Sequence, residues 1–138
     1  MQINKLELPG ELEADLISGG LKFDEKSTHK LRRLLGYAKF GLRCPYFLTL
    51  QNIERENSVF AAEANYIHVL FGRRSWFRPP GNVDPTKTVA IAMLDADAAI
   101  ALDYRTRPPR VVFTDEKSSN WRIAASNYHH LKLKLGFT

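Results

Sequence analysis

The chain has 138 residues, 44% of them hydrophobic and 25% charged, with 8 Gly, 7 Pro and a single Cys. This is the composition of one globular domain over residues 1–138, large enough to bury a core without a disulfide or metal staple. The formal net charge of +5 arises in the second half: residues 1–70 carry nine Lys/Arg against nine Asp/Glu, residues 71–138 eleven against six.

Leu8-Pro9 leads into a predicted helix over Gly10–Ser18, where proline suits the first turn because its missing N–H would have no partner there. Glu11, Glu13 and Asp15 favour the positive end of the dipole, Leu12 and Leu16 share a face, and Gly19-Gly20 supplies the stop. A second helix is expected over Ser27–Gly36, with Leu31, Leu34 and Leu35 inward and Arg32 and Arg33 outward. Cys44–Leu48 reads as extended. Thr49 is expected to cap a helix through Asn57, continuing to about Ala64, with Leu50 and Ile53 inward. Tyr66–Phe71 is β-branched and aromatic enough for a strand.

Residues 72–88 hold three of the seven prolines and read as a long loop, a length that is uncommon in a domain unless the loop has a role. A run of strands follows. Val89–Leu94 and Ile100–Arg105 alternate about a turn at Asp95-Ala96-Asp97. Pro108-Pro109 breaks the chain before Arg110–Thr114, and Asp115–Asn120 turns into Trp121–Ala124. Ser126 is expected to cap a last helix over Asn127–Leu135, closed by Gly136. Helices at both ends around consecutive hairpins predict an α+β fold, a mainly antiparallel sheet flanked by a few short helices.

Residues for chemistry are scarce. No phosphate-cradling glycine motif and no G-x-S-x-G elbow occurs, and Cys44, before Pro45 amid aromatics, has no histidine or helix start nearby in sequence to activate it. His129 and His130 are adjacent, so a helix points them about 100° apart and they cannot share one metal; His68 reads as a strand histidine. Asp95 and Asp97 suit a turn, and Asp103 with Arg105 reads as a solvated ion pair on the sheet or a spot for interaction. No catalytic residue, metal ligand or cofactor is expected. The longest apolar run, Val89–Leu94, is too short to span a bilayer, and Met1–Lys5 lacks the apolar core of a signal peptide, so a cytoplasmic protein is expected.

A likeness of a different kind lies in the order of several segments. Leu8-Pro9 through Ser18-Gly19-Gly20, Thr49–Asn57, Arg78-Pro79-Pro80-Gly81-Asn82-Val83-Asp84-Pro85, Ile100-Ala101-Leu102-Asp103-Tyr104-Arg105, Pro108–Val112 and Trp121–Ala124 with the closing helix resemble SUKH superfamily domains. The likeness spans nearly the whole chain, is patchy over residues 21–48, and is most specific at Ile100–Arg105. It implies a non-catalytic sheet-and-helix module. Bacterial members are typically immunity proteins that bind and block toxins, and fungal relatives regulate cell-wall synthesis. The basic charge departs from the acidic surface expected of an inhibitor of cationic nucleases, so the toxin would be acidic at the contact or read through apolar groups.

The resemblance makes a cognate toxin the expected partner. Candidate contacts are Arg73, Arg74, Trp76, Phe77 and Arg78 on the long loop with Asp103 and Arg105 on the sheet, because Arg and Trp are enriched where interface energy concentrates. The alternative is an accessory protein that binds nucleic acid through the basic second half, although ribonucleoprotein, GXXG and zinc fingerprints are absent.

Overall fold

A computed structural model describes residues 1–36, 45–62, 79–95, 98–114 and 120–137. The chain opens with a hairpin that the sequence does not announce: β1 (Gln2–Ile3) pairs antiparallel with β2 (Leu6–Glu7). Asn4 and Lys5 between them have φ of 52° and 67°, the left-handed backbone that a two-residue hairpin turn requires. Helix α1 (Gly10–Ile17) follows Pro9 as expected, with Leu12 and Leu16 buried and Glu11 and Glu13 in its first turn.

Helix α2 (Glu25–Leu35) starts two residues earlier than Ser27. The reason is a reciprocal cap: Ser27 N–H donates to Asp24 Oδ1 at 2.8 Å, and Asp24 N–H donates back to Ser27 Oγ at 2.9 Å. Leu31 and Leu35 are buried, and Gly36 closes the helix at φ 66°. After β3 (Tyr46–Phe47), the N–H groups of Asn52 and Ile53 both donate to Thr49 O, and α3 (Ile53–Ala62) begins four residues beyond the expected cap. Asn52, whose Oδ1 accepts from Thr49 N–H at 2.7 Å, fastens that turn.

The expected long loop is not structureless where it is described. It contains β4 (Pro80–Gly81) and a 3-10 turn over Pro85–Lys87, capped by the side chain of Asp84. Then come β5 (Thr88–Asp95), β6 (Ala98–Asp103), β7 (Arg110–Thr114), β8 (Trp121–Ala125) and α4 (Tyr128–Leu135). The cap of α4 is Asn127, whose side chain accepts from His130 N–H, rather than Ser126. The expected strand Tyr66–Phe71, with His68, lies outside the described residues, as do Cys44 and Asp97.

The sheet has the order β3-β5-β6-β7-β8-β4, with every neighbouring pair antiparallel. The α+β class is therefore as the sequence implied. Alternation along the strands gives two faces. One carries Ile100, Leu102, Val111 and Phe113 against Leu12 and Leu16 of α1, Leu31 and Leu35 of α2, and Leu131 and Leu135 of α4. The other carries a smaller cluster of Ala99, Ala101, Val112, Val83 and Trp121, with the Phe60 ring edge-on to Trp121 at 6.2 Å.

That sheet order forces a crossing. Strand β4 lies at one edge and β5 lies four strand positions away, about 19 Å at normal strand spacing. The chain between them runs over β8, β7 and β6, and Val83 packs into the second-face cluster on the way. At the other edge Asn57 of α3, wholly buried, acts as a substitute strand: its Nδ2 donates to Ala90 O at 2.9 Å and its Oδ1 accepts from Ala90 N–H at 2.7 Å.

Candidate functional site

The strongest polar cluster forms where β6 ends beneath the crossing chain. Asp103 has no accessible surface. The expectation of a solvated ion pair there is wrong, and the cause is the crossover, which covers the strand end. Arg105 donates from Nε to Asp103 Oδ1 at 2.9 Å and from a terminal nitrogen to Oδ2 at 3.1 Å. Arg110 stands directly opposite Asp103 in the β6–β7 register and donates from Nε to Oδ2 at 2.8 Å. Arg105 N–H also donates to Oδ1, at 3.1 Å, which turns the chain and ends β6 at Asp103, two residues before the expected Arg105.

Burial pushes the Asp103 carboxyl up. The hydrogen bonds from Arg105 side chain and backbone and from Arg110 outweigh it and hold the group below the ordinary carboxylate range. Arg105 then reaches the crossing chain, donating to Asn82 Oδ1 at 3.0 Å and to Asn82 O at 2.7 Å. One guanidinium thus joins strand end and crossover. Thr88 Oγ1 secures the far side of the crossing by donating to Asp84 O at 2.6 Å.

A side chain without accessible surface cannot touch a partner, so Asp103 is corrected from contact residue to internal anchor. Arg105 keeps part of its guanidinium at the surface, with 27% of its side chain accessible. Two residues that sequence reasoning passed over belong to this cluster: Arg110, at 22%, and Asn82. Arg110 was detectable as the residue facing Asp103 once a hairpin is drawn through the Pro108-Pro109 turn; nothing local marked Asn82. Arg73, Arg74, Trp76, Phe77 and Arg78 lie outside the described residues.

A second cluster joins α1 to α4. The Lys132 ammonium, nearly buried, lies 2.8 Å from Asp15 Oδ2 and 3.1 Å from Glu11 Oε1. Tyr128 donates its hydroxyl to Asp15 Oδ2 at 2.7 Å, and His129 Nδ1 lies 3.0 Å from Glu11 Oε2. Burial lowers the Lys132 pKa, but hydrogen bonds to Asp15 and Glu11 carry it above the ordinary lysine value. His129 and then Lys132 hold Glu11 low against the opposing effect of burial, and burial with the Asp15 carboxylate raises Tyr128. His130 turns instead to Ser126 Oγ, so the two adjacent histidines diverge as the helix predicts. These shifts all lock groups in their ordinary charge state, the opposite of what a general acid or base at neutral pH needs.

Among the described residues no three His, Cys, Asp or Glu side chains could hold a metal ion. No described helix is long and apolar enough to cross a membrane. A hollow of about 620 Å³ is lined by Asp24, Glu25, Lys26, Thr28, His29 and Arg32, all from α2 and its cap, and is open surface along one helix. Compared with protein-family models, curated proteins and solved structures, the chain matches none.

Proposed function

We propose that this is a SUKH-type, non-catalytic binding protein of the cytoplasm, and that it serves as an immunity protein by occluding a cognate bacterial toxin. The observation that carries the proposal is the contact between Asn82 and Arg105 above the buried Asp103. Asn82 belongs to the Arg78–Pro85 segment and Asp103-Tyr104-Arg105 to the Ile100–Arg105 segment, two of the parts of the sequence that resemble the superfamily. Residues 23 positions apart that carry one resemblance and meet in one hydrogen-bonded unit behave as the signature of a scaffold.

The chemistry of the clusters supports a binding role over a catalytic one. Both oxygens of Asp103 are engaged by guanidinium groups, and Lys132 is engaged by two carboxylates. Groups engaged in this way hold a surface in shape, each ion fixed by an opposite charge. Binding energy would then come from the residues that these clusters present outward.

The test is direct. The purified protein is titrated by calorimetry with each secreted-toxin candidate encoded beside its gene, and toxin activity is assayed in parallel. Nanomolar binding with loss of toxin activity is the expected result. Failure of every neighbouring candidate to bind would overturn the immunity reading. Oligonucleotide binding that weakens steeply with salt, in place of toxin binding, would shift the assignment to the nucleic-acid class.

A further inference from the structure

The six-residue segment from Arg105 to Arg110 holds three arginines, and the buried Asp103 gathers two of them. Bringing two guanidinium groups together is unfavourable unless an anion lies between them, and here one carboxylate serves both. The unit of Arg105, Arg107, Arg110 and Asp103 still keeps a net charge of +2. A guanidinium has five N–H donors in a planar fork. Arg110 commits Nε to Asp103, and its terminal N–H groups have no acceptor among the described residues. Arg107 is exposed at the tip of the same turn, likewise with no polar partner among the described residues.

Beside this cationic group the same sheet face presents an apolar one. Ile123 of β8 pairs with Val112, two residues beyond Arg110 on β7, and leaves 43% of its surface accessible. Fixed cations beside an exposed aliphatic side chain are the composition of a protein interface: charge complementarity to orient, apolar contact to hold. A single-stranded nucleic acid would want aromatic faces for its bases. The exposed aromatic among the described residues, Tyr46, is on β3 at the far edge of the sheet, four strands from Ile123.

We propose that Arg105, Arg107 and Arg110, with Ile123, form the docking point for a carboxylate-bearing segment of a protein partner. Arg110 and Arg107 grip the carboxylate through the N–H groups that have no acceptor among the described residues, and Asp103 is a positioning residue that aims Arg110 and Arg105. The proposal rests on the reading of this chain as a protein-binding module and names the chemistry of the contact.

The test follows the arginine Nε–H and Ile123 methyl NMR signals of the full chain during titration with a hexaglutamate peptide. Inorganic phosphate and a hexathymidylate of similar charge are titrated in parallel. The expected result is saturable shifts at Arg107, Arg110 and Ile123 with the peptide, weakened at least tenfold in Arg110→Gln and unchanged in Lys26→Gln on α2. Asp103→Asn separates positioning from simple charge. It makes the site more cationic, so an electrostatic patch would bind the peptide more tightly, whereas a positioned fork binds it more weakly. The proposal is overturned if shifts do not saturate, if Arg110→Gln leaves affinity intact, or if the oligonucleotide binds tighter at the same residues. A toxin that binds the Arg110→Gln variant undiminished would sink this docking point and leave the immunity reading standing. Peptide docking without any toxin partner would do the reverse.

Discussion

Asp103 and Arg110 face each other across the β6–β7 hairpin, joined by a 2.8 Å hydrogen bond from Arg110 Nε to Asp103 Oδ2, and the carboxylate is wholly buried while the guanidinium is not. This asymmetry makes the pair a foundation with one accessible side. The arginines can regain water if the carboxylate is lost, but the carboxylate has only the arginines. Asp103→Ala should therefore cost on the order of 3 kcal/mol, the lower end of the range for breaking a buried ion pair. Arg110→Ala should cost less than Arg105→Ala, because Arg105 also holds the crossing chain at Asn82. Urea unfolding midpoints at constant slope would check the order.

Acid should reveal the same group. Asp103 has its pKa depressed on folding, so its stabilisation is fully present above the unfolded carboxylate value of about 3.9 and is lost as pH falls through the lower folded value. Stability measured between pH 5 and pH 2 should fall less steeply in Asp103→Asn than in the wild type. Equal slopes would mean that the carboxylate is not held by the arginines.

Alkali should probe the helix pair. Lys132 has its pKa raised on folding, so its contribution is fully present below the unfolded value of about 10.4 and is lost as pH rises through the folded one. Lys132→Met keeps the apolar stem and removes the ammonium that joins Asp15 and Glu11. At neutral pH it should cost about 2 kcal/mol, in the range for hydrogen bonds to charged groups, and the gap to wild type should narrow above pH 10. Thermal melts across that range would measure it.

Asn57 offers a test without charge. Its replacement by Ala strands the buried N–H and C=O of Ala90, each worth about 1–3 kcal/mol when unpaired. Asn57→Ala should thus destabilise as much as a core truncation, and hydrogen exchange at Ala90 should accelerate. Asn57→Asp keeps the acceptor for Ala90 N–H but turns a buried carboxylate oxygen toward Ala90 O and Ile53 O, so at neutral pH it should destabilise at least as much as Asn57→Ala.

Asp24→Ala removes the α2 cap and should lower the thermal midpoint, while leaving the sheet untouched. Exchange confined to the first turn of α2 is the expected signature.

Where order along the chain was enough, sequence reading succeeded. The helix after Pro9, the glycine stops, the antiparallel run from Val89 to Ala124 and the last helix all depend on contacts a few residues apart, and all occur within a residue or two of expectation. Caps were less legible. At the last helix Asn127 takes the place of Ser126 because the cap is whichever side chain reaches the third N–H, a matter of local angles that residue type only biases. Strands of two residues, such as β1, β2 and β4, show no alternation to detect.

The candidate site divides along the same line. That Asp103 and Arg105 pair, and that Arg110 follows a proline break, can be read from spacing alone, because a strand end and a hairpin are local objects. That Asp103 is buried, that Asn82 accepts from Arg105, and that the arginines are left pointing outward depend on a crossing chain laid over three strands. Burial is a property of what covers a residue. What covers Asp103 comes from a segment some twenty positions away, so only the folded chain brings the two together.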